Sequence, residues 1–70
     1  MYTHSGAVPR ERSSRQIIRR LRSDGFELVK ITGSHHKFKK NGRIVTVPHP
    51  KKDLPIGTVR AICKQAGWID

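Results

Sequence analysis

The sequence predicts a small α+β domain of order α-β-β-β-α, a three-stranded antiparallel sheet with two helices on one face. Three observations predict it. Apolar stripes at helical spacing lie toward both ends of the chain. Three short runs rich in branched and aromatic residues lie between them. Asn41-Gly42, the strongest short hairpin signal present, joins the second run to the third. Seventy residues leave room for one core and for no repeat array.

Residues 1–12 show no period and contain Gly6 and Pro9, so they read as a flexible arm, a cloning remnant or a mis-assigned start, with the domain over residues 13–70. His4 falls in that arm and takes no role. Ser13 or Ser14 can cap a helix over Ser14–Ser23, in which Ile17, Ile18 and Leu21 form one stripe and Arg15, Arg19 and Arg22 lie elsewhere. Asp24-Gly25 ends it. Residues 26–32, FELVKIT, read as a strand, Thr32-Gly33-Ser34 as a turn, and residues 35–40, HHKFKK, as a second strand. The Asn41-Gly42 turn leads to a third strand over residues 43–48, RIVTVP. A basic loop, 49–53, precedes the last helix, which opens at Leu54-Pro55, buries Val59, Ile62, Cys63 and Ala66, and stops at Gly67.

Charge narrows the function. Fifteen Lys and Arg against five Asp and Glu give a formal charge of +10, which points to nucleic acid, an anionic membrane surface or an acidic protein partner and away from cationic substrates. The lone Cys63 excludes an internal disulfide and a thiolate metal cluster, and reads as a small buried helix residue. No apolar run approaches the roughly 20 residues of a membrane span, and the N-terminus lacks a signal-peptide apolar region, so a cytoplasmic protein without membrane attachment is expected.

The turn alone dictates the hairpin register. Two residues at Asn41-Gly42 pair Lys40 with Arg43, Phe38 with Val45, Lys37 with Thr46, His36 with Val47 and His35 with Pro48. Side chains alternate, so His36, Phe38, Val45 and Val47 share the face the helices cover. His35, Lys37, Lys39, Ile44 and Thr46 share the other. The parity of the first strand stays open, because Phe26 and Leu28 compete with Val29 and Ile31.

An imidazole among ammonium groups suits phosphodiester chemistry. Histidine exchanges a proton near neutral pH, and lysines hold a phosphate and stabilise the charge that grows on it. RNA carries its own nucleophile, the 2′-hydroxyl. The alternative is that His35 is simply an exposed strand residue. Other chemistries fit less well. His35 and His36 point to opposite faces with no carboxylate near, so no metal site is expected and no cofactor is implied. No buried acid is available for a Ser-His-acid triad. Gly33-Ser34 is too short for a glycine-rich phosphate loop, though its N–H groups can touch one phosphate. An aromatic RNA-binding sheet is missing, since Phe38 belongs to the core and Trp68 packs at the C-terminus.

Three motifs, in order, carry a family resemblance. Gly33-Ser34-His35-His36-Lys37-Phe38, Val45-Thr46-Val47-Pro48-His49-Pro50, and Lys52-Asp53-Leu54-Pro55-Ile56-Gly57-Thr58 with Gln65-Ala66-Gly67 closely resemble the HicA family of small mRNA interferase toxins. The resemblance runs from about residue 14 to residue 68. It implies a fold like that of double-stranded-RNA-binding domains and an endoribonuclease that cuts mRNA until a HicB-like antitoxin covers it; with the 2′-hydroxyl as nucleophile, that cleavage is expected to be metal-independent. It implies that His35, after the Gly-Ser pair, is the catalytic residue, and that Gly33 lets the RNA backbone approach. Ser34, Lys37 and Thr46 then join Gly33 as RNA-binding residues, with Lys51 and Lys52 of the basic loop as further phosphate contacts. The sequence does not single out the proton donor to the leaving oxygen, for which Lys37 and a water are both open candidates. The free toxin is expected to be a monomer. Two rivals remain: an RNA-binding module of the same fold that does not cut, and an interaction protein whose basic face meets an acidic partner.

Overall fold

The computed structural model describes residues 12–69. The elements are α1 (Ser14–Ser23), β1 (Glu27–Thr32), β2 (His35–Lys40), β3 (Arg43–Pro48) and α2 (Ile56–Ala66). The sheet is antiparallel in the order β1-β2-β3. Of the expected arm, residues 1–11 lie outside the described residues. Arg12 is held: its carbonyl accepts from the Leu54 N–H at 2.7 Å.

Helix α1 starts where a serine oxygen satisfies a free backbone donor. Ser13 is the cap and accepts from the Gln16 N–H at 3.2 Å. Ile17 and Leu21, one turn apart, are buried, and Arg15, Arg19 and Arg22 are exposed. The helix ends in a Schellman arrangement. Gly25 takes a φ of +96°, its N–H reaches Arg22 O at 3.0 Å, and the Phe26 N–H reaches Leu21 O at 2.9 Å. This closure moves the start of β1. Phe26, expected as its first residue, spends its N–H on the helix and its ring in the core, so the strand begins at Glu27.

Helix α2 closes the same way. Gly67 has φ +81°, Gly67 N–H reaches Lys64 O at 3.1 Å and Trp68 N–H reaches Cys63 O at 2.9 Å. Pro55, expected inside the first turn, is the cap residue, and Ile56 is the first helical one. Both helices thus end by turning an aromatic residue, Phe26 or Trp68, back against the core.

The hairpin register is the one expected from the turn. Asn41 (φ 47°) and Gly42 (φ 82°) supply the positive φ pair of a type I′ turn, and the β2–β3 partners run from Lys40↔Arg43 to His35↔Pro48. Phe38, Val45 and Val47 lie buried under Ile17 and Leu21 of α1 and Val59, Ile62 and Cys63 of α2. The helices therefore sit on one face, over β2 and β3. Burial pushes the Cys63 thiol pKa up, as expected of an inert packing residue.

A bulge resolves the parity of β1. Leu28 pairs with Phe38 but Lys30 pairs with Lys37, leaving Val29 as the extra residue. Leu28 and Ile31 therefore both share the face of Phe38 and His36, while Lys30 and Thr32 join the face of Lys37 and His35. Neither uniform alternation expected from the sequence holds through the whole strand.

Asp24 ties the two helix ends together. Its carboxylate accepts from Trp68 Nε1–H at 2.9 Å and faces Lys40 Nζ at 3.4 Å, and Arg20 stacks over the Trp68 ring at 4.3 Å. The Trp68 hydrogen bond above all, helped by the Lys40 ammonium and Arg20, holds the Asp24 carboxyl below its usual range against the opposing effect of desolvation. A folded-state pKa below the unfolded one stabilises above the ordinary carboxylate range and is lost as pH falls through the lowered value. Asp24→Asn is expected to lower the melting temperature at pH 7 by about 2–4 °C, the scale of a partly exposed pair in a small domain. Melting curves of both proteins down to pH 2 check this: the gap should close in the acid range, and a pH-independent gap would exclude the charge as its cause.

Candidate nucleic-acid interface

Strand β2 carries the residues of interest, and alternation sorts them. His35, Lys37 and Lys39 stand exposed on the helix-free face. His35 is flanked there by Thr32 and Pro48, Lys37 by Lys30 and Thr46, and Lys39 by Glu27 and Ile44. Directly opposed side chains on a sheet start about 5 Å apart, so Lys30 and Lys37 form a basic row next to His35 with one acid, Glu27, at the far end. His36 is half-buried on the other face. Its Nδ1 is buried without a partner among the described residues, and its ring meets that of His49 edge-on, centroids 4.8 Å apart. Adjacent histidines of one dipeptide therefore occupy different environments, as alternation requires.

The turn before His35 is tight. Gly33 has φ +58°, while Ser34 has no positive φ. A Cβ at Gly33 would meet nothing within 4 Å. Backbone conformation by itself thus favours glycine here, whatever approaches from outside. The Ser34 carbonyl extends the ladder by accepting from the His49 N–H at 2.7 Å.

The sequence-predicted residues fall into two groups. Gly33, Ser34, His35, Lys37 and Thr46 gather at one end of the open sheet face. Lys51 and Lys52 do not join them. They line a cleft of about 350 Å³ against the start of α1, with Ser13, Ser14, Arg15, His49 and Pro50. Here the buried Ser14 hydroxyl accepts from the Lys51 backbone N–H at 2.8 Å and lies 2.6 Å from His49 Nδ1. The Ser14 hydroxyl thus bridges the Lys51 backbone and the His49 ring, and holds that ring by its Nδ1 edge. The Ser14 N–H also donates to Lys51 O at 2.8 Å, so the loop is clamped at both ends of one residue.

Sequence reasoning missed His49. The signals for it were its place at the head of the basic loop and its presence in the second family motif. Nothing local announces that residue 14, 35 positions away, will hold its ring.

Gly33→Ala is expected to lower stability by about 1 kcal/mol or more in the absence of any RNA, from the strain of φ +58° alone. Urea titration of the free protein checks this. An unchanged midpoint would mean that the turn relaxes and that the glycine answers to something other than backbone conformation.

Compared with known families, residues 14–68 match the profile described as HicA toxin of bacterial toxin-antitoxin. A search of curated proteins finds no match.

Proposed function

This chain belongs to the HicA toxin family, a toxin that works opposite an antitoxin, and from that premise we propose that it is a metal-independent endoribonuclease that cuts mRNA through His35. The single observation that carries the reading is the placement of His35: exposed on the helix-free face, beside the Lys30–Lys37 row, while its neighbour His36 is withdrawn toward the core.

The chemistry follows from those positions. An RNA strand lies across the open face with a phosphate near Lys37. The His35 imidazole takes the proton of the 2′-hydroxyl, O2′ attacks phosphorus, and the P–O5′ bond breaks. The departing O5′ takes a proton from Lys37 or from water. The products are a 2′,3′-cyclic phosphate and a free 5′-hydroxyl. The nucleophile is part of the substrate, so the reaction balances without a metal or a covalent enzyme intermediate. Lys37 and Lys30 stabilise the charge that builds on the phosphoryl oxygens, in the manner of preorganised cations. Ser34 and Thr46 offer polar contacts at the same end of the sheet, and Gly33 leaves the turn open beside them. Lys51 and Lys52 add phosphate contacts outside this face. A HicB-like antitoxin inhibits by covering the His35 face. No helix among the described residues is long and apolar enough to cross a membrane.

His35→Ala is expected to reduce cleavage by about 10²- to 10⁴-fold, the usual worth of one proton-transfer group, with RNA affinity largely kept. Cleavage by the parent protein should persist in EDTA and yield 2′,3′-cyclic phosphate ends. Product-end analysis and single-turnover rates check both points. Products ending in 5′-phosphate, or a parent protein that binds RNA without cutting it, would instead favour the non-catalytic module.

A further inference from the structure

The cleft beside α1 is not explained by chemistry on the sheet face. Its rim carries Arg15, Lys51 and Lys52, all exposed, and its wall carries the His49 ring. Among the described residues, no carboxylate lines it. Asp53, the nearest acid in sequence, faces Arg12 at 3.6 Å instead. His49 is the ordered member of the group. Ser14 holds its Nδ1, and its ring lines the cleft. Three exposed cations and one imidazole held in place by Ser14 around an opening of about 350 Å³ match a phosphate with its ribose, and Pro50 gives the sugar an apolar wall.

The register limits what this group can do. His49 follows Pro48, which pairs with His35, and its own N–H bonds to Ser34 O. His49 therefore turns to the helix side, where its ring meets His36, while His35 turns to the open side. Two imidazoles on opposite sides of one sheet do not flank a single phosphorus atom, which rules out His49 as the proton donor to the leaving oxygen. They can hold different phosphates of one strand that passes around the end of the sheet.

We propose that the cleft formed by Arg15, His49, Lys51 and Lys52 is a second phosphodiester site, which grips the RNA strand at a nucleotide away from the one cut on the sheet face. The proposal rests on the ribonuclease reading for the identity of the polyanion. It adds to it His49 and Arg15 as binding residues, Ser14 as the group that orients His49, and a path for the strand. A substrate long enough to reach both sites binds more tightly than one that covers the sheet face alone.

The test uses the full chain in a His35→Ala background, where RNA stays intact, and measures affinity for single-stranded RNA across a salt series. His49→Asn places an amide where Nδ1 was, so the Ser14 hydroxyl keeps a partner while the Nε2 edge of the ring is lost. It is expected to weaken binding about tenfold with an unchanged melting temperature. His49→Gln, whose amide reaches the Nε2 position, should recover most of that loss. Lys51→Ala/Lys52→Ala, both on the exposed loop, should flatten the dependence of log Kd on log salt by about 0.7 or more, the share of at least one phosphate contact on a single strand. A short RNA should be indifferent to all of these changes. Undiminished affinity in the Asn and double-Ala variants overturns the proposal while leaving His35 catalysis, measured separately on the parent, untouched. Undiminished RNA affinity with weakened binding of an acidic antitoxin would make the cleft a protein contact and overturns it too. So would resonances of His49 and Lys51 that respond to inorganic phosphate but not to RNA. A parent protein with no affinity for RNA overturns this proposal and the ribonuclease reading together.

Discussion

Everything that distinguishes this molecule depends on the two-residue period of β2 as pinned by the Asn41-Gly42 turn. Once the turn pairs Lys40 with Arg43, no freedom remains in the hairpin. A slip of one residue would send Phe38 into water and His35 beneath the helices. The burial of Phe38 between two helices thus acts as a lock on the position of His35. The core and the open face are one decision, and the force that settles it is the removal of apolar surface from water. Fully burying a phenylalanine is worth roughly 1.5–3 kcal/mol, well above any effect available to an exposed imidazole.

The helices serve this arrangement by staying on one side. Each is ended by a glycine with positive φ and an aromatic residue that folds back, and Asp24 links the two ends through Trp68. The cationic side chains are left to line the rest of the surface. With fifteen of them in 70 residues, mutual repulsion opposes compaction. Several are engaged rather than free. Arg20 lies on Trp68, Lys40 reaches Asp24, and Arg43 extends toward Gln65 O at 3.4 Å. The lysines of the sheet face, Lys30, Lys37 and Lys39, have no such internal role among the described residues. Their charge faces outward, where a polyanion would lower the repulsion.

Most of the fold was legible because its determinants are local. A serine before an apolar stripe, an Asn-Gly pair between alternating runs and glycines after helices each act within a few residues, and the elements α1, β2, β3 and the end of α2 follow from them. The first boundary of β1 was off by one residue for a local reason as well, the Schellman closure at Phe26. Three things were not legible. The bulge at Val29 reconciles two apolar patterns that pairwise reading treats as exclusive, and it shows only when β1 is laid against Phe38 and Lys37. The division of the basic residues into an open face and a separate cleft depends on how the 49–53 loop folds against α1. The Ser14–His49 contact joins two polar residues that the three strands separate in sequence, and neither periodicity nor turn chemistry reports on such a pair. The placement of His35 on the open face was derivable from register, whereas its chemical role came from the family resemblance.

The extra residue in β1 has one more effect. This strand forms the outer border of the sheet, where backbone N–H and C=O groups have no neighbour and an unfamiliar chain can add itself by strand pairing. Val29 and Ile31 are exposed there, at 51% and 55% of their surface, which would make a smooth border adhesive. The bulge interrupts the hydrogen-bonding rhythm in the middle of a six-residue strand and increases its local twist. An incoming strand finds matching groups for only two or three residues before the register breaks, next to the charge of Lys30. The same irregularity that puts Leu28 and Ile31 on one face of the sheet thus guards the chain against sheet-to-sheet aggregation.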